Sequence, residues 1–182
     1  SWSPRITAIA SVIHTDRESV VSSTLSDFKL GLNSKGTQAE TQLLYKQDQF
    51  NLTTGLGAYS LDVTLSGQAG SDSTQRIAYG YANIKIPATA IWTLGLSHES
   101  DEDNSARLNE LNPKFGVQWA LNDQVALRAA AFKTVKRTFA LEQTIEPTQV
   151  AGFNQFFDET DLTVSRNLGL GLDVRFNGRL FG

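Results

Sequence analysis

The sequence predicts an all-β protein, an antiparallel transmembrane β-barrel with about eight visible strands, and three observations carry this prediction. Apolar and polar residues alternate with a period of two over most of the 182 residues, as they do in strands with two different faces. The connections between these segments are alternately short and long. Aromatic residues gather at the short-turn ends of the segments.

Eight segments show the alternation of strands, and the connections between them alternate in length. Asn-Gly at 177–178 is a strong turn signal because both residues tolerate positive φ. Short turns on one side and long loops on the other are typical of outer-membrane barrels. The predicted strands are 5–14, 37–46, 50–60, 76–86, 90–99, 112–120, 125–136 and 166–176; the short turns are 47–49, 87–89, 122–123 and 177–178; the long loops are 15–36, 61–75, 100–111 and 137–165.

One phase of every predicted strand is free of charge, although 19% of the whole chain is charged. A Lys or Arg at bilayer mid-depth costs about 2–4 kcal/mol, so a charge-free phase is expected where strands meet lipid. This phase is every second residue of 6–12, 39–45, 50–58, 78–86, 90–96, 113–119, 125–131 and 168–176.

The opposite phase is polar, contains glycines and carries charges of both signs, which predicts a hydrated lumen lined by side chains. In a soluble β-sandwich the same face would be exposed to solvent, so this feature alone does not separate the two folds. The predicted lumen-lining residues are Arg5, Glu40, Lys46, Lys85, Glu99, Lys114, Arg128, Asp173 and Arg175.

The aromatic residues favour the barrel over the sandwich. They lie near the short turns, as in a belt at the membrane interface, where the rings sit at the headgroup boundary. A soluble core would place its aromatic residues throughout the strands. The predicted interface residues are Trp2, Tyr45, Phe50, Trp92, Trp119 and Phe176.

Composition excludes several other classes of protein. The chain has no cysteine, so it has no disulfide or thiolate metal site, and its net charge of −3 does not favour nucleic-acid binding. No apolar stretch is long enough for a transmembrane helix. Acidic runs at 101–103 and 158–161 lack the spacing of a calcium loop. We expect no cofactor and no metal. The absence of an initiator Met and of an export signal suggests a mature or excised piece.

One candidate catalytic site is Ser97-His98-Glu99, which contains the residue types of a hydrolytic triad. Successive residues of a strand point to opposite faces, so Ser97 and Glu99 are expected to face inward and His98 outward. A triad needs all three groups to converge. We therefore expect that the protein is not an enzyme.

Several segments resemble proteobacterial outer-membrane barrels of the TonB-dependent-receptor-like type, which often follow tetratricopeptide repeats. These segments are YKQDQFNLTTGLGAY (45–59), YGYANIKIP (79–87), NPKFGVQW (112–119), LRAAAFKTVKR (127–137) and EPTQVAGFNQFFDET (146–160). The resemblance implies a section of a larger barrel. Residues 179–182 then look like the opening of a ninth strand. No plug domain or TonB box is visible, so the resemblance does not extend to energy-coupled uptake.

Three functional interpretations remain open for the single domain or barrel section 1–182. The first is a receptor, porin or translocation barrel of the Gram-negative outer membrane; the second is a closed eight-stranded anchor or adhesion barrel without a pore; the third is a soluble β-sandwich binding module. Expected partners are outer-membrane lipid, lipopolysaccharide near Lys133, Lys136 and Arg137, other barrel segments and periplasmic repeat domains. The 137–165 segment could fold inward over the lumen or form a surface hairpin.

Overall fold

The computed structural model describes residues 5–23, 28–65, 70–103, 107–136, 143–155, 163–176 and 180–181. Its strands form one antiparallel sheet of nine strands and a separate two-stranded hairpin. The strands are β1 (Ile6–Ser23), β2 (Phe28–Lys46), β3 (Phe50–Leu65), β4 (Ser71–Ile84), β5 (Ala90–Asp103), β6 (Arg107–Ala120), β7 (Val125–Val135), β8 (Gln149–Val150), β9 (Phe153–Asn154), β10 (Val164–Phe176) and β11 (Leu180–Phe181).

The large sheet is a meander in which neighbours in space are neighbours along the chain, except that β10 pairs with β7. The hairpin of β8 and β9 lies in the connection between those two strands. β1 and β11 are the two ends of the sheet, and within the described residues they do not pair with each other. The described strands thus do not form the closed eight-stranded barrel of the second interpretation: the nine-stranded sheet is an open part of a barrel.

The strands are longer than predicted on the long-loop side. β1 and β2 pair from Ile6↔Tyr45 to Ser23↔Phe28, so most of the predicted loop 15–36 is strand. The predicted loops 61–75 and 100–111 are shortened in the same way. Backbone pairing needs no apolar face, so the strands continue where alternation ends because both faces have become polar.

The predicted short turns are largely confirmed. β2 ends at Lys46 and β3 begins at Phe50, as expected for a turn at 47–49. The turn between β6 and β7 covers 121–124, and the Asn122 side chain accepts bonds from the backbone N–H groups of Gln124 (2.8 Å) and Val125 (2.9 Å). The predicted Asn-Gly turn lies outside the described residues, although β11 follows it and pairs Phe176 with Leu180.

The register places the charge-free phase of all eight predicted strands on one face, which we call the outer face. Tyr45, for example, lies between Ile6 and Leu52, and each of these belongs to the charge-free phase. The outer face is uncovered within the described residues, with Leu168 89% and Leu170 88% exposed. No second sheet packs on this face in the described part of the chain, so the outer face there lacks the cover that a soluble β-sandwich would provide.

The apolar part of the outer face has a defined height. It covers seven to nine residues per strand, for example 6–12 in β1 and 50–58 in β3. At about 3.3 Å per residue this is about 23–30 Å along a strand, comparable with the apolar band of about 25 Å in outer-membrane barrels. On the side of this apolar part away from the short turns, the outer face becomes polar. The first polar residue of β1 there is His14, whose Nδ1 lies 3.0 Å from Thr37 Oγ1. Within the described residues there is no helix long and apolar enough to cross a bilayer.

The other face, which we call the inner face, is shaped by tyrosine and glycine pairs. Tyr79 lies opposite Gly55, and Tyr81 lies opposite Gly95. A Cβ on Gly55 would collide with Tyr79 Cζ, and a Cβ on Gly95 would lie 2.7 Å from Tyr81 Cδ1. The two glycines thus give the rings room to lie over the neighbouring strands. This arrangement fixes the positions of both tyrosine hydroxyls.

Candidate functional site

Residues 143–155, which we call the inner segment, lie across the inner face. The first half of the segment contacts β2 and β4, and the second half contacts β6, β7 and β10. Apart from Gln38, which lies one residue beyond it, these contacts fall on strand positions within the span of the apolar band on the outer face. The inner segment therefore lies at the depth of the band.

The first half of the inner segment is held by side chains of β2. Glu40 is 2% exposed, and its carboxylate accepts bonds from Thr144 Oγ1 (3.0 Å) and from the Ile145 backbone N–H (2.9 Å). The two neighbours of Glu40 in the same phase donate to backbone carbonyls of the segment. These bonds run from Gln38 Nε2 to Gln143 O (2.6 Å) and from Gln42 Nε2 to Ile145 O (2.5 Å). One face of β2 thus satisfies the polar groups at the start of the segment.

The centre of the inner segment is fastened to Tyr81 of β4. The Tyr81 hydroxyl donates to Glu146 Oε1 at 2.5 Å and accepts from Gln155 Nε2 at 3.0 Å. All three side chains are at most 2% exposed. Gln155 Nε2 also donates to the Pro147 carbonyl. One phenol thus joins Glu146 to Gln155, the last residue of the segment, and a buried polar group without such partners would be costly.

The hairpin of β8 and β9 fits into a depression made by a glycine. Its two turn residues have positive φ, 50° for Ala151 and 82° for Gly152, which suits a two-residue hairpin turn. Val150 and Ala151 pack with Ala130 and Phe132. A Cβ on Gly116 would lie 2.7 Å from Ala151 Cβ, so the inner face has room for the hairpin only because residue 116 is glycine.

The end of the hairpin rests on an ion pair. Arg128 makes two bonds to Asp173, from Nε at 2.7 Å and from Nη2 at 2.9 Å, and its Nη1 donates to the Gly152 carbonyl at 3.2 Å. The guanidinium carbon lies 5.2 Å from the centre of the Phe153 ring. The ring itself covers Gly169, where a Cβ would lie 2.8 Å from it. Arg128 thus links β7, β10 and the inner segment.

Replacing Arg128 with lysine is expected to lower the free energy of unfolding by about 0.5–1 kcal/mol, because an ammonium cannot make the paired bonds of a guanidinium. The value is modest because the side chains of Arg128 and Asp173 are 27% and 48% exposed. Urea unfolding of the protein in detergent measures the change. The control is Lys35→Ala, which breaks an ion pair to Asp16 whose side chains are each 56% exposed, and equal effects of both substitutions would contradict the prediction.

A second buried cluster lies on β5 and β6. Lys114 Nζ donates to Ser97 Oγ at 3.2 Å, and Ser97 Oγ and Asn112 Nδ2 each donate to Glu99 Oε1 at 3.3 Å. His98 lies on the outer face, exposed, with Nε2 2.7 Å from Asn109 Oδ1. The prediction that Ser97 and His98 point to opposite faces is confirmed, so these residues do not converge as a triad.

The predicted lumen-lining residues lie in two groups on the inner face. Glu40, Glu99 and Lys114 are buried, at 2%, 5% and 3% exposure, and Arg128 and Asp173 form the ion pair described above. The remaining residues are exposed near the short turns: Arg5, Lys46, Lys85 and Arg175. Their lumen-lining role stays a prediction.

The predicted interface aromatics lie around the short turns where they are described. Trp119 is 50% exposed, and Trp92, 38% exposed, donates from Nε1 to the Ile86 carbonyl at 3.0 Å. Tyr45 and Phe50 flank the first turn and are partly exposed. Trp2 lies outside the described residues, and Phe176 ends β10. Their membrane role stays a prediction.

Sequence reasoning missed the residues that hold the inner segment, namely Tyr81, Glu146 and Gln155. A usable signal was present, since Tyr79 and Tyr81 are large aromatic residues in the polar phase of β4. No pattern in the sequence pairs Tyr81 with Glu146, 65 residues away. Among the described residues, no cluster of three or more His, Asp or Glu side chains is arranged to hold a metal ion.

Comparison with known proteins identifies one family and several similar folds. The model of the family described as "TonB dependent receptor-like, beta-barrel" matches residues 5–182. The FrpB iron transporter from Neisseria meningitidis (F5-1 variant) is similar over 94% of this chain, with 14% identity and a TM-score of 0.63. A chain of the FpvAI–pyocin S2 complex is similar over 97%, with 11% identity and a TM-score of 0.53. This chain spans 31% and 28% of those two chains. No curated protein matches.

Proposed function

The chain belongs to the TonB dependent receptor-like β-barrel family, and from this we propose that it forms part of an outer-membrane barrel of a Gram-negative bacterium with a receptor and translocation role. One observation carries the proposal. The register puts an uncovered, charge-free band on the outer face and the charged phase on the inner face, against the inner segment. A lipid-facing wall around a polar interior is the arrangement of a transport barrel.

The inner face supports a polar path for solutes. Four exposed cationic residues lie on it near the short turns, and buried hydrogen-bonded groups lie at the depth of the apolar band. In the proposed orientation the short turns face the periplasm and the long hairpins face the outside. The four cations are Arg5, Lys46, Lys85 and Arg175.

The proposal includes several partners. Lipid covers the outer face, and further barrel segments pair with the two ends of the sheet. Lipopolysaccharide phosphates are expected near Lys133 and Lys136, although Lys133 Nζ also lies 2.5 Å from Glu110 Oε2. Periplasmic tetratricopeptide repeats and a protein ligand complete the set, the latter because FpvAI occurs in a complex with pyocin S2. We propose neither a nucleic-acid partner nor an enzymatic activity.

A second candidate function is an anchor or adhesion barrel without solute passage. The observation that favours it is the close packing of the inner segment, whose Val150, Glu146 and Gln155 are 0%, 2% and 1% exposed. A segment held this firmly could close the interior rather than line a path. The two functions differ in whether solutes cross.

The full-length protein that contains this chain is expected to conduct ions when it is inserted in a planar lipid bilayer, because its inner face is polar. Protease protection of the inserted protein shows that it spans the membrane. Correct insertion with no conductance and no solute permeation would contradict translocation and favour the anchor. Protein-free bilayers provide the baseline.

A further inference from the structure

The inner segment presents an uncharged polar surface on its exposed side. Its exposed side chains are Gln143, Thr148, Gln149 and Asn154, all of which are neutral and hydrogen-bonding. The one charged residue among 143–155 is Glu146, and its side chain is 2% exposed and bonded to Tyr81. The charged side chain of the segment thus lies against the strands of the inner face, and its exposed side chains are uncharged.

Three charged groups of the inner face beside the inner segment are engaged in contacts of their own, whereas the exposed cations of this face lie nearer the short turns. Glu40 is covered and accepts bonds from the inner segment. Arg128 makes two bonds to Asp173 and one to the Gly152 carbonyl. Lys114 is 3% exposed, bonded to Ser97. The surface that the segment adds in front of this wall is therefore neutral, although the wall itself carries both signs of charge.

We propose that the inner segment is a selectivity element, fixed to the inner face by Glu40 and Tyr81, whose neutral amide and hydroxyl surface admits uncharged polar solutes and adds no selectivity of its own between cations and anions. The proposal rests on the proposed translocation function. Amide side chains both donate and accept hydrogen bonds, so they can replace the water around a hydroxyl-bearing solute. Selection between ions of opposite sign depends on fixed charge along the path, and the exposed side of the segment supplies none.

The position of the inner segment can be tested without any transport measurement. The chain has no cysteine, so in a full-length protein with any other cysteine replaced by alanine, a single introduced cysteine reports accessibility to a membrane-impermeant maleimide. Val150 is fully buried and its neighbour Gln149 is exposed. In the full-length protein we expect Gln149→Cys to react at least tenfold faster than Val150→Cys. The double substitution Glu40→Gln with Tyr81→Phe should abolish most of that difference.

Charge at position 149 tests the selectivity. In planar bilayers of the full-length protein, the cation-to-anion permeability ratio is measured from KCl reversal potentials for the parent and for charged variants at position 149. Gln149→Glu should raise the ratio at least threefold, and Gln149→Lys should lower it at least threefold. The matched control is Asn33→Glu, an exposed position on the outer face beyond the apolar band, which should leave the ratio unchanged. Liposomes that contain the parent protein should also swell in isosmotic raffinose, an uncharged trisaccharide.

The outcomes separate the two proposals. A protein that conducts but whose permeability ratio does not respond to charge at position 149 would overturn the selectivity element and leave translocation standing. Equal labelling of the two cysteines would overturn the position of the segment. A correctly inserted parent protein that passes neither ions nor raffinose would overturn the proposed translocation function, and the selectivity proposal with it.

Discussion

Arginine at position 170 is expected to lower the free energy of unfolding in lipid by about 2–4 kcal/mol, the cost of a basic side chain near the bilayer midplane of a barrel. Leu170 lies on the outer face inside the apolar band 168–176, one outer position from the central Leu172, and is 88% exposed. Its backbone partner is Ala129 of β7. Reversible denaturant unfolding in lipid vesicles measures the change.

Leu170→Ala is the control for this substitution. Because the leucine has few protein neighbours, its truncation removes little packing within the protein. The alanine variant should therefore be much closer to the parent than the arginine variant. If arginine cost no more than alanine, position 170 would face water, and the lipid-facing assignment of the outer face would fail.

Alanine at position 116 is expected to destabilise the protein by about 1–3 kcal/mol, the usual cost of forcing an extra group into a packed interior. The added Cβ would lie 2.7 Å from Ala151 Cβ and 3.0 Å from Val150 Cγ1. Ala151→Gly removes the closer atom and also suits the positive φ of 50° at that position. The double variant should therefore recover much of the loss.

A double-mutant cycle of unfolding free energies checks this coupling. Strictly additive effects would show that residues 116 and 151 do not touch. Gly80→Ala is the matched control, because the nearest atom to its Cβ, Thr54 Cγ2, is 3.9 Å away. That substitution should be close to neutral.

The outer face was predictable because a single rule links sequence and position along a strand. Side chains of a strand alternate between two faces, and hydrocarbon excludes charge, so the charge-free phase could be assigned strand by strand. Pairs such as Leu94↔Phe115 and Leu172↔Leu127 then confirm that neighbouring strands agree. Turn residues such as Asp48, between β2 and β3, added the connectivity.

The parts of the strands beyond the apolar band, on the long-loop side, could not be predicted from alternation. Beyond Val12 the outer face of β1 carries His14, Asp16 and Glu18, and the period of two disappears. The backbone bonds of the hairpin continue regardless, to Ser23. Pairing is a property of two strands together, and hydropathy along one strand does not report it.

The candidate site was the least predictable part. The bonds from Glu40 to the inner segment join residues about 105 positions apart, and those from Tyr81 join residues 65 and 74 positions apart. The sequence left open whether 137–165 folds inward or forms a surface hairpin, because its residue pattern is compatible with both arrangements. The contacts of residues 143–155 place that part of it on the inner face.

The continued pairing of β1 and β2 has a consequence for how an arriving molecule meets the protein. The two strands stay paired from Val12↔Ala39 to Ser23↔Phe28, which at about 3.3 Å per residue is about 35 Å of stiff ladder beyond the apolar band. In the proposed orientation this paired hairpin projects outward from the cell surface. First encounters with a diffusing ligand, an antibody or a phage fibre then take place on its polar sides, far from the bilayer surface.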